Sequence, residues 1–334
     1  MARQEERLRF SIVIPVFNGE KYVERAIKSA VSQNYSNFEI IVTDNNSTDK
    51  SAKICKKYLK FKNFKYFRNK ENIGMVLNWR AGIKKAHADY FLILSDDDYL
   101  TDKDYLKKAA KKFSENKNAV LLHSDYTLYY EEENKFLKVK RNLKEVWSGK
   151  EYFLKLKETD EILPILCSTF FKLSLAKKIN LFNDNSITAS DVEAFFKFCL
   201  YGDVIFLKEN AAVYSIRKFS VNNSSNVDGC IKNMAWIRNV SKEASKFFKK
   251  REIAQWEKRI LIRSSEGIIT KAIQTGDRKK TIKTINILIN DWKMPVWIVF
   301  YKTTPIRLTL ALINFKLYLA VRKKILNAYL FLKK

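Results

Sequence analysis

Three observations predict an α/β fold with a mainly parallel sheet, flanked by helices and followed by a C-terminal helical extension. Short runs of β-branched and aromatic residues recur along the first hundred positions, and segments with helical apolar spacing separate them. From about Asn226 the helical spacing continues with no further strand runs.

Each element has its own signal. Phe10–Pro15 (FSIVIP) reads as a strand, and Glu20–Gln33 carries helical spacing at Tyr22, Ala26, Ile27 and Ala30. Glu39–Thr43 (EIIVT) is a second buried strand, and Asp49 suits the N-terminus of a helix running to Tyr58. Phe64–Phe67 is a third strand and Met75–Ala86 a helix. Tyr90–Leu94 (YFLIL) is a fourth strand that runs into Ser95-Asp96-Asp97-Asp98, ahead of a helix over Thr101–Ser114. In parallel sheets ligands bind beyond the carboxyl ends of the strands, here Pro15–Asn18, Asp44–Asn46 and Ser95–Asp98.

Lys232–Lys250, Glu252–Gln274 and Asp277–Asn290 read as basic amphipathic helices. Two domains are therefore expected, residues 1–225 and 226–334. Of the total charge of +27, residues 230–334 hold 24 Lys and Arg against 6 Asp and Glu, a net +18. Such a field favours phosphate-bearing partners, anionic lipid or nucleic acid. No helix-turn-helix, finger or RNA-binding aromatic signature accompanies the charge, so nucleic acid is set aside.

With 46% hydrophobic and 30% charged residues, the chain can bury a core and is not a disordered chain. Its four cysteines form no CxxC pair, which suits small buried thiols in a reducing compartment and argues against zinc. The N-terminus does not read as a signal peptide, and no run reaches the roughly 18 apolar residues of a spanning helix. A cytoplasmic protein is expected.

The acids carry the chemistry. Asp96, Asp97 and Asp98 directly follow a strand, and adjacent carboxylates repel unless a cation compensates them. Their oxygens suit hard ions such as Mg²⁺ or Mn²⁺, which bridge to substrate phosphates. Taken alone, the triplet reads equally as a solvated turn capping the next helix. Asp191 likewise divides between a helix cap on Val192–Leu200 and a catalytic base.

Ile12–Tyr22 (IVIPVFNGEKY), Ile40–Asp49 (IIVTDNNSTD), Glu71–Gly82 (ENIGMVLNWRAG) and Leu94–Leu100 (LSDDDYL) together resemble family 2 of the inverting glycosyltransferases, which have the GT-A fold. The resemblance continues more weakly through Ser168–Phe182, Ala189–Gly202 and Val213–Arg217 and covers about residues 8–220. It implies transfer of a sugar from a nucleotide-sugar donor, foremost a UDP-sugar, to a glycan or lipid-linked acceptor, with Mg²⁺ or Mn²⁺ as cofactor. Pro15, Val16, Asn18 and Glu20 would border the nucleoside, and Asp44 would accept from base or ribose. Asn72, Gly74 and Asn78 would shape the donor pocket. Asp96 would contact the ribose, Asp97 would bind the metal with Asp98 beside it, and Asp191 would be the base, with Glu193 as the fallback.

Three positions depart from the family pattern. Asn45 replaces a second acid, Ser95 stands where many members have an acid, and Arg217-Lys218 stands where a His is common. His87 and His123 lie elsewhere and read as structural. A synthase acting on polyprenyl phosphate and a non-catalytic basic binding protein are the alternatives; the intact set Asp44, Asp96–Asp98 and Asp191 argues against the latter.

In the tail, Leu308, Leu312, Phe315, Leu319 and Ile325 form an apolar series near Lys316, Arg322, Lys323 and Lys324. With Trp292, Trp297 and Tyr301 this predicts peripheral contact with an anionic membrane. The competing expectation is a helical subdomain packed on the catalytic domain.

Overall fold

The computed structural model describes residues 8–155, 164–183, 187–217 and 226–293. The chain divides into two compact units, Met1–Ser224 and Ser225–Lys334.

Among the described residues the first unit is built on one ten-stranded sheet. Its strands are β1 (Phe10–Val16), β2 (Phe38–Asp44), β3 (Phe64–Arg68), β4 (Tyr90–Ile93), β5 (Tyr99–Leu100), β6 (Ala119–Tyr130), β7 (Lys135–Val139), β8 (Val146–Trp147), β9 (Thr169–Lys172) and β10 (Asp203–Ile216). The order is β3-β2-β1-β4-β9-β6-β10-β5, with β7 on β6 and β8 on β10. The long pairings, β1 with β2, β2 with β3 and β6 with β10, are parallel, as is β1 with β4. β9 enters antiparallel between β4 and β6.

Helices cover the sheet: α1 (Val23–Val31), α2 (Ser51–Lys56), α3 (Met75–Lys85), α4 (Tyr105–Glu115), α5 (Gly149–Lys155), α6 (Leu173–Lys178) and α7 (Ser190–Cys199). β1 and β2 are buried at every position, as expected of strands covered on both faces. Phe10, Ile12, Ile14 and Val16 join Val23, Ala26, Ile27 and Ala30 of α1 in one apolar cluster. Beside β1, α3 comes so close that a Cβ on Gly82 would lie 2.3 Å from Val13 Cγ1.

Two boundaries differ from expectation. α2 begins at Ser51 rather than Asp49, although the Asp49 carboxylate still accepts from Ser51 N–H at 2.9 Å. α4 begins at Tyr105 rather than Thr101, because Leu100 pairs with Ala212 and Thr101 N–H donates to Ala211 C=O.

The second unit contains α8 (Val227–Asn233), α9 (Ala235–Ala244), α10 (Lys250–Gln274) and α11 (Arg278–Asn290). The single helix expected over Lys232–Lys250 is two. The Asn226 side chain caps α8 by accepting from Gly229 N–H at 2.8 Å, which starts it earlier, and the chain turns at Met234. Trp256 is fully buried and meets Trp236 edge-on at 6.2 Å between ring centres. Trp292 is only 9% exposed and lies beneath Arg238, so it does not offer the membrane-facing ring expected of it. The rest of that membrane expectation, residues 295–334, falls outside the described residues. Among the described residues no helix is long and apolar enough to cross a membrane.

Candidate active site

A cleft of about 450 Å³ opens at the carboxyl ends of β1, β4 and β10. β1 brings Pro15 and Val16, the segment after β4 brings Ser95–Asp98, and β10 brings Tyr214 and Ser215, with Arg217 just beyond. Asn78 and Trp79 of α3 and Asp191 of α7 complete much of its wall. Asp191 lies nearly a hundred positions from the acid triplet, and the fold alone makes them neighbours.

The triplet is held rigidly. The Asp97 backbone carbonyl accepts from Arg25 Nη2 and Ser215 Oγ, both at 2.6 Å. Its carboxylate Oδ2 lies 2.5 Å from Arg217 Nη2. Asp98 accepts from Ser215 N–H at 2.8 Å. Asp96 packs so tightly on the first loop that a Cβ at Gly19 would lie 2.1 Å from its Oδ2. Burial, followed by the charge of Asp97, pushes the Asp96 carboxyl up to about 7. The same causes, in the same order, raise Asp98 well above the usual carboxylate range. Crowded acids in this state are what a bound cation would relieve.

The donor set fits one kind of cation site. No group of three or more His, Cys, Asp or Glu is arranged as a metal cage among the described residues. An ion such as Mg²⁺ instead commonly uses one or two carboxylates and completes its shell with substrate phosphate and water. Asp97 and Asp98 suit that arrangement. The end of β10 delivers a cationic side chain, Arg217, to Asp97.

Beside the triplet, the first two loops are stapled together. Asn18 Oδ1 accepts from Thr48 N–H, Gly19 N–H donates to Ser51 Oγ, and Glu20 Oε2 accepts from Lys50 N–H. The Asn18 and Glu20 oxygens, expected at the nucleoside, thus tie one loop to the other. Asp44 also departs from expectation. It is fully buried, accepting from Ser47 N–H at 2.8 Å and Tyr66 O–H at 2.5 Å, and it does not line the cleft.

An asparagine network shapes the loop between β3 and α3. Asn45 Nδ2 donates to Asn72 Oδ1 at 2.7 Å, while Asn45 Oδ1 accepts from Asn69 Nδ2 and Ile73 N–H. Asn69 also donates to Asn78 Oδ1, and Asn78 donates to Thr43 C=O. Asn72 Oδ1 accepts from Gly74 N–H, where a φ of 85° favours glycine at the start of α3. Only Asn45 and Asn78 of this set border the cleft. The departure from an acid at Asn45 now has a reason: a carboxylate could not donate to Asn72.

Asp191 stands in the first turn of α7, where its Oδ1 accepts from Val192 N–H at 2.8 Å. The N-cap of α7 is Ala189 and makes no side-chain cap bond, so Asp191 is a first-turn residue that borders the cleft rather than the helix cap. Burial raises its carboxyl above the ordinary range, with the Val192 hydrogen bond opposing. Glu193 pairs with Lys197 at 2.5 Å and lies outside the lining of this cleft.

The family model described as Glycosyl transferase family 2 matches residues 11–208 of the chain. The chain belongs to glycosyl transferase family 2. Among curated relatives, this family 2 chain is 26% identical to glycosyltransferase GlyA of Streptococcus pneumoniae serotype 4, over 64% of its own length and 31% of GlyA. It is 31% identical to an uncharacterised glycosyltransferase of Rickettsia typhi over 59% of this chain and 60% of that one. The chain thus spans less than two thirds of the length of either relative. The solved structure of Staphylococcus aureus TarS residues 1–349 with UDP-GlcNAc superposes with a TM-score of 0.56 at 16% identity, covering 86% of this chain and 92% of that chain. A Pyrobaculum calidifontis mannosyltransferase with GDP-Man and Mn²⁺ gives 0.55 at 14% identity, covering 95% of this chain and 87% of that chain. The fold of this family 2 glycosyltransferase is the GT-A type.

Several residues around the candidate site carried no signal in the sequence. Arg25, Tyr66, Asn69 and Ser215 each sit on an ordinary-looking helix, strand or turn. Arg25 and Ser215 gain their roles from partners 72 and 117 positions away, and Tyr66 from Asp44 on the adjacent strand. His123, in contrast, is buried with Nε2 3.0 Å from Tyr152 Oη and lies off the cleft, as a structural residue should.

Proposed function

We propose that this family 2 glycosyltransferase moves the sugar of a nucleoside diphosphate sugar, foremost a UDP-sugar, onto an acceptor hydroxyl with inversion. One observation carries the proposal: Asp191 and the triplet Asp96–Asp98 border the same cleft. The UDP-GlcNAc held by TarS, and the GDP-Man and Mn²⁺ held by the Pyrobaculum enzyme, support a nucleotide-sugar donor and a divalent ion.

Pro15, Val16, Asn45 and Asn78 would border the nucleoside and donor, with Asp96 toward the ribose. Asn18 and Glu20 keep the loops closed beneath it, and Asn72 and Gly74 hold the donor loop. Asp44 acts from below, fixing Tyr66 and the Ser47 turn. Asp97, with Asp98 beside it, would hold Mg²⁺ or Mn²⁺, which supplies Lewis-acid neutralisation of charge on the departing diphosphate.

Asp191 accepts the acceptor hydroxyl's proton as the new bond to the anomeric carbon forms and the bond to the diphosphate oxygen breaks. Burial strengthens it as a base by raising its carboxyl. The base works ionised, so transfer is retained above the raised value and lost as pH falls through it. That loss begins at higher pH than an ordinary carboxylate would give.

The basic last third, net +18, would draw the enzyme to an anionic membrane at its cytoplasmic face, where a lipid-linked or surface glycan is extended. A screen of nucleotide sugars tests the donor. With Mn²⁺ present, one UDP-sugar should raise the melting temperature and be slowly hydrolysed, and excess chelator should remove both effects. A folded protein that no nucleotide sugar stabilises would contradict the proposal.

A further inference from the structure

The Arg217–Asp97 pair raises a question that the donor reading leaves open. The carboxylate proposed to hold the divalent ion already holds a guanidinium, at 2.5 Å. Arg217 is not a loose surface cation. Its guanidinium lies 4.7 Å over the Tyr22 ring, and Tyr22 O–H donates to both Glu131 oxygens at 2.9 Å. Lys21 Nζ donates to Glu131 as well, at 2.8 Å, so the ring beneath Arg217 is itself anchored. Arg217 also borders the same cleft as Asp96–Asp98.

A guanidinium in this place opposes a metal ion at the carboxylate by occupying Oδ2 and by like charge. It also has the planar fork that suits phosphate oxygens, and the Tyr22 face can support it through a short movement. Releasing Asp97 costs an ion pair. That cost is recovered only when something anionic arrives for Arg217 to bind.

We propose that Arg217 is an internal counter-ion of Asp97, displaced when a divalent ion and a nucleoside diphosphate bind together. The ion takes the carboxylate and the guanidinium moves to the diphosphate. Neither ligand alone satisfies both charges, so each strengthens the other, and linkage makes the effect equal in both directions. Arg217 thereby guards the site against free metal and contacts the leaving group once the donor is in place. This rests on the assignment of Asp97 as the ion's ligand.

The test uses the full chain, with Mn²⁺ followed by the resonance of the free ion and UDP followed by calorimetry. In the unmodified protein, saturating UDP should tighten Mn²⁺ binding by tenfold or more, within the roughly 5- to 150-fold typical of coupled sites. Arg217→Gln should bind Mn²⁺ alone about tenfold more tightly than the unmodified protein, because its competitor is gone, and should lose most of the coupling to UDP. Arg217→Lys should keep Mn²⁺ alone weak through its charge, yet bind UDP less well through loss of the fork. Asp97→Asn should bind no Mn²⁺ with or without UDP.

Unchanged or weaker Mn²⁺ binding by folded Arg217→Gln would overturn the counter-ion role while leaving Asp97 as ligand. If Arg217→Gln does not fold, equal Mn²⁺ affinity with and without UDP in the unmodified protein overturns it too. Full Mn²⁺ binding by Asp97→Asn would instead defeat the underlying metal assignment, and the counter-ion role would fall with it.

Discussion

Within the first unit, residues 10–98 and residues 119–217 contribute to one cleft by different means. In the former, the loop residues Asn18, Gly19 and Asn69 are fixed by partners from the same region. The Asn18–Ser47 and Gly19–Ser51 hydrogen bonds join positions 29 and 32 apart, and the Asn69–Asn78 bond joins positions 9 apart. In the latter, the links are long: Ser215 reaches Asp98 across 117 positions, and Glu131 is joined to Tyr22 across 109. Successive strand–helix loops can set a nucleotide platform locally. Bringing the proposed base and counter-ion to that platform needs the far half of the sheet, where β6 joins β9 to β10.

The largest expected effect falls where the two regions meet. Asp97→Ala should abolish UDP binding in Mn²⁺ and reduce transfer to the assay background, while circular dichroism and cooperative melting remain. Transfer close to that of the unmodified protein would mean that the triplet does not hold the donor, and the contrast between platform and added groups would lose its basis.

A smaller effect probes the local side. Asn45→Asp removes the donor to Asn72 while keeping the size and the acceptor. Asn72 Oδ1 keeps its bond from Gly74 N–H, so the loss is that of one hydrogen bond, about 0.5–1.5 kcal/mol, read as a melting temperature lower by a few degrees and a weaker UDP affinity. An unchanged melting temperature would show that the asparagine network is not what holds the donor loop.

The same contrast explains what was legible in the sequence. β1 to β4 and the helices between them were readable, because buried strands and their loops follow one another with clear periodicity and turn chemistry. The triplet and Asp191 were readable as acids at element ends, and the family resemblance placed them. β5 and β9 were not. A two-residue strand has no period to detect, and a four-residue run entering antiparallel is chosen by its neighbours rather than by its own residues. Asp44 shows the limit within a readable motif. Its position at the end of β2 was plain, but Tyr66 on the adjacent β3 turns its carboxylate inward. Arg217 was visible only as an oddity at a family position, because its partner lies on another strand's loop. In the second unit, helical spacing was legible while the break at Met234 was not, since spacing alone does not mark a single turn between two helices.

If Asp191 and the triplet form one catalytic site, Asp191 takes the proton. Asp191→Asn, compared with Glu193→Gln, tests this most directly through transfer rate and UDP affinity measured together across pH. Asp191→Asn should bind UDP and Mn²⁺ as the unmodified protein does, yet transfer about 10²- to 10⁴-fold more slowly, without the acid-side fall set by the raised Asp191 carboxyl. Glu193→Gln should keep transfer within a few-fold, since its partner is Lys197 outside the cleft lining. Transfer by Asp191→Asn within about tenfold of the unmodified rate, below the usual contribution of a general base, would contradict the account and show that Asp191 is a first-turn residue of α7 with no part in the proton transfer.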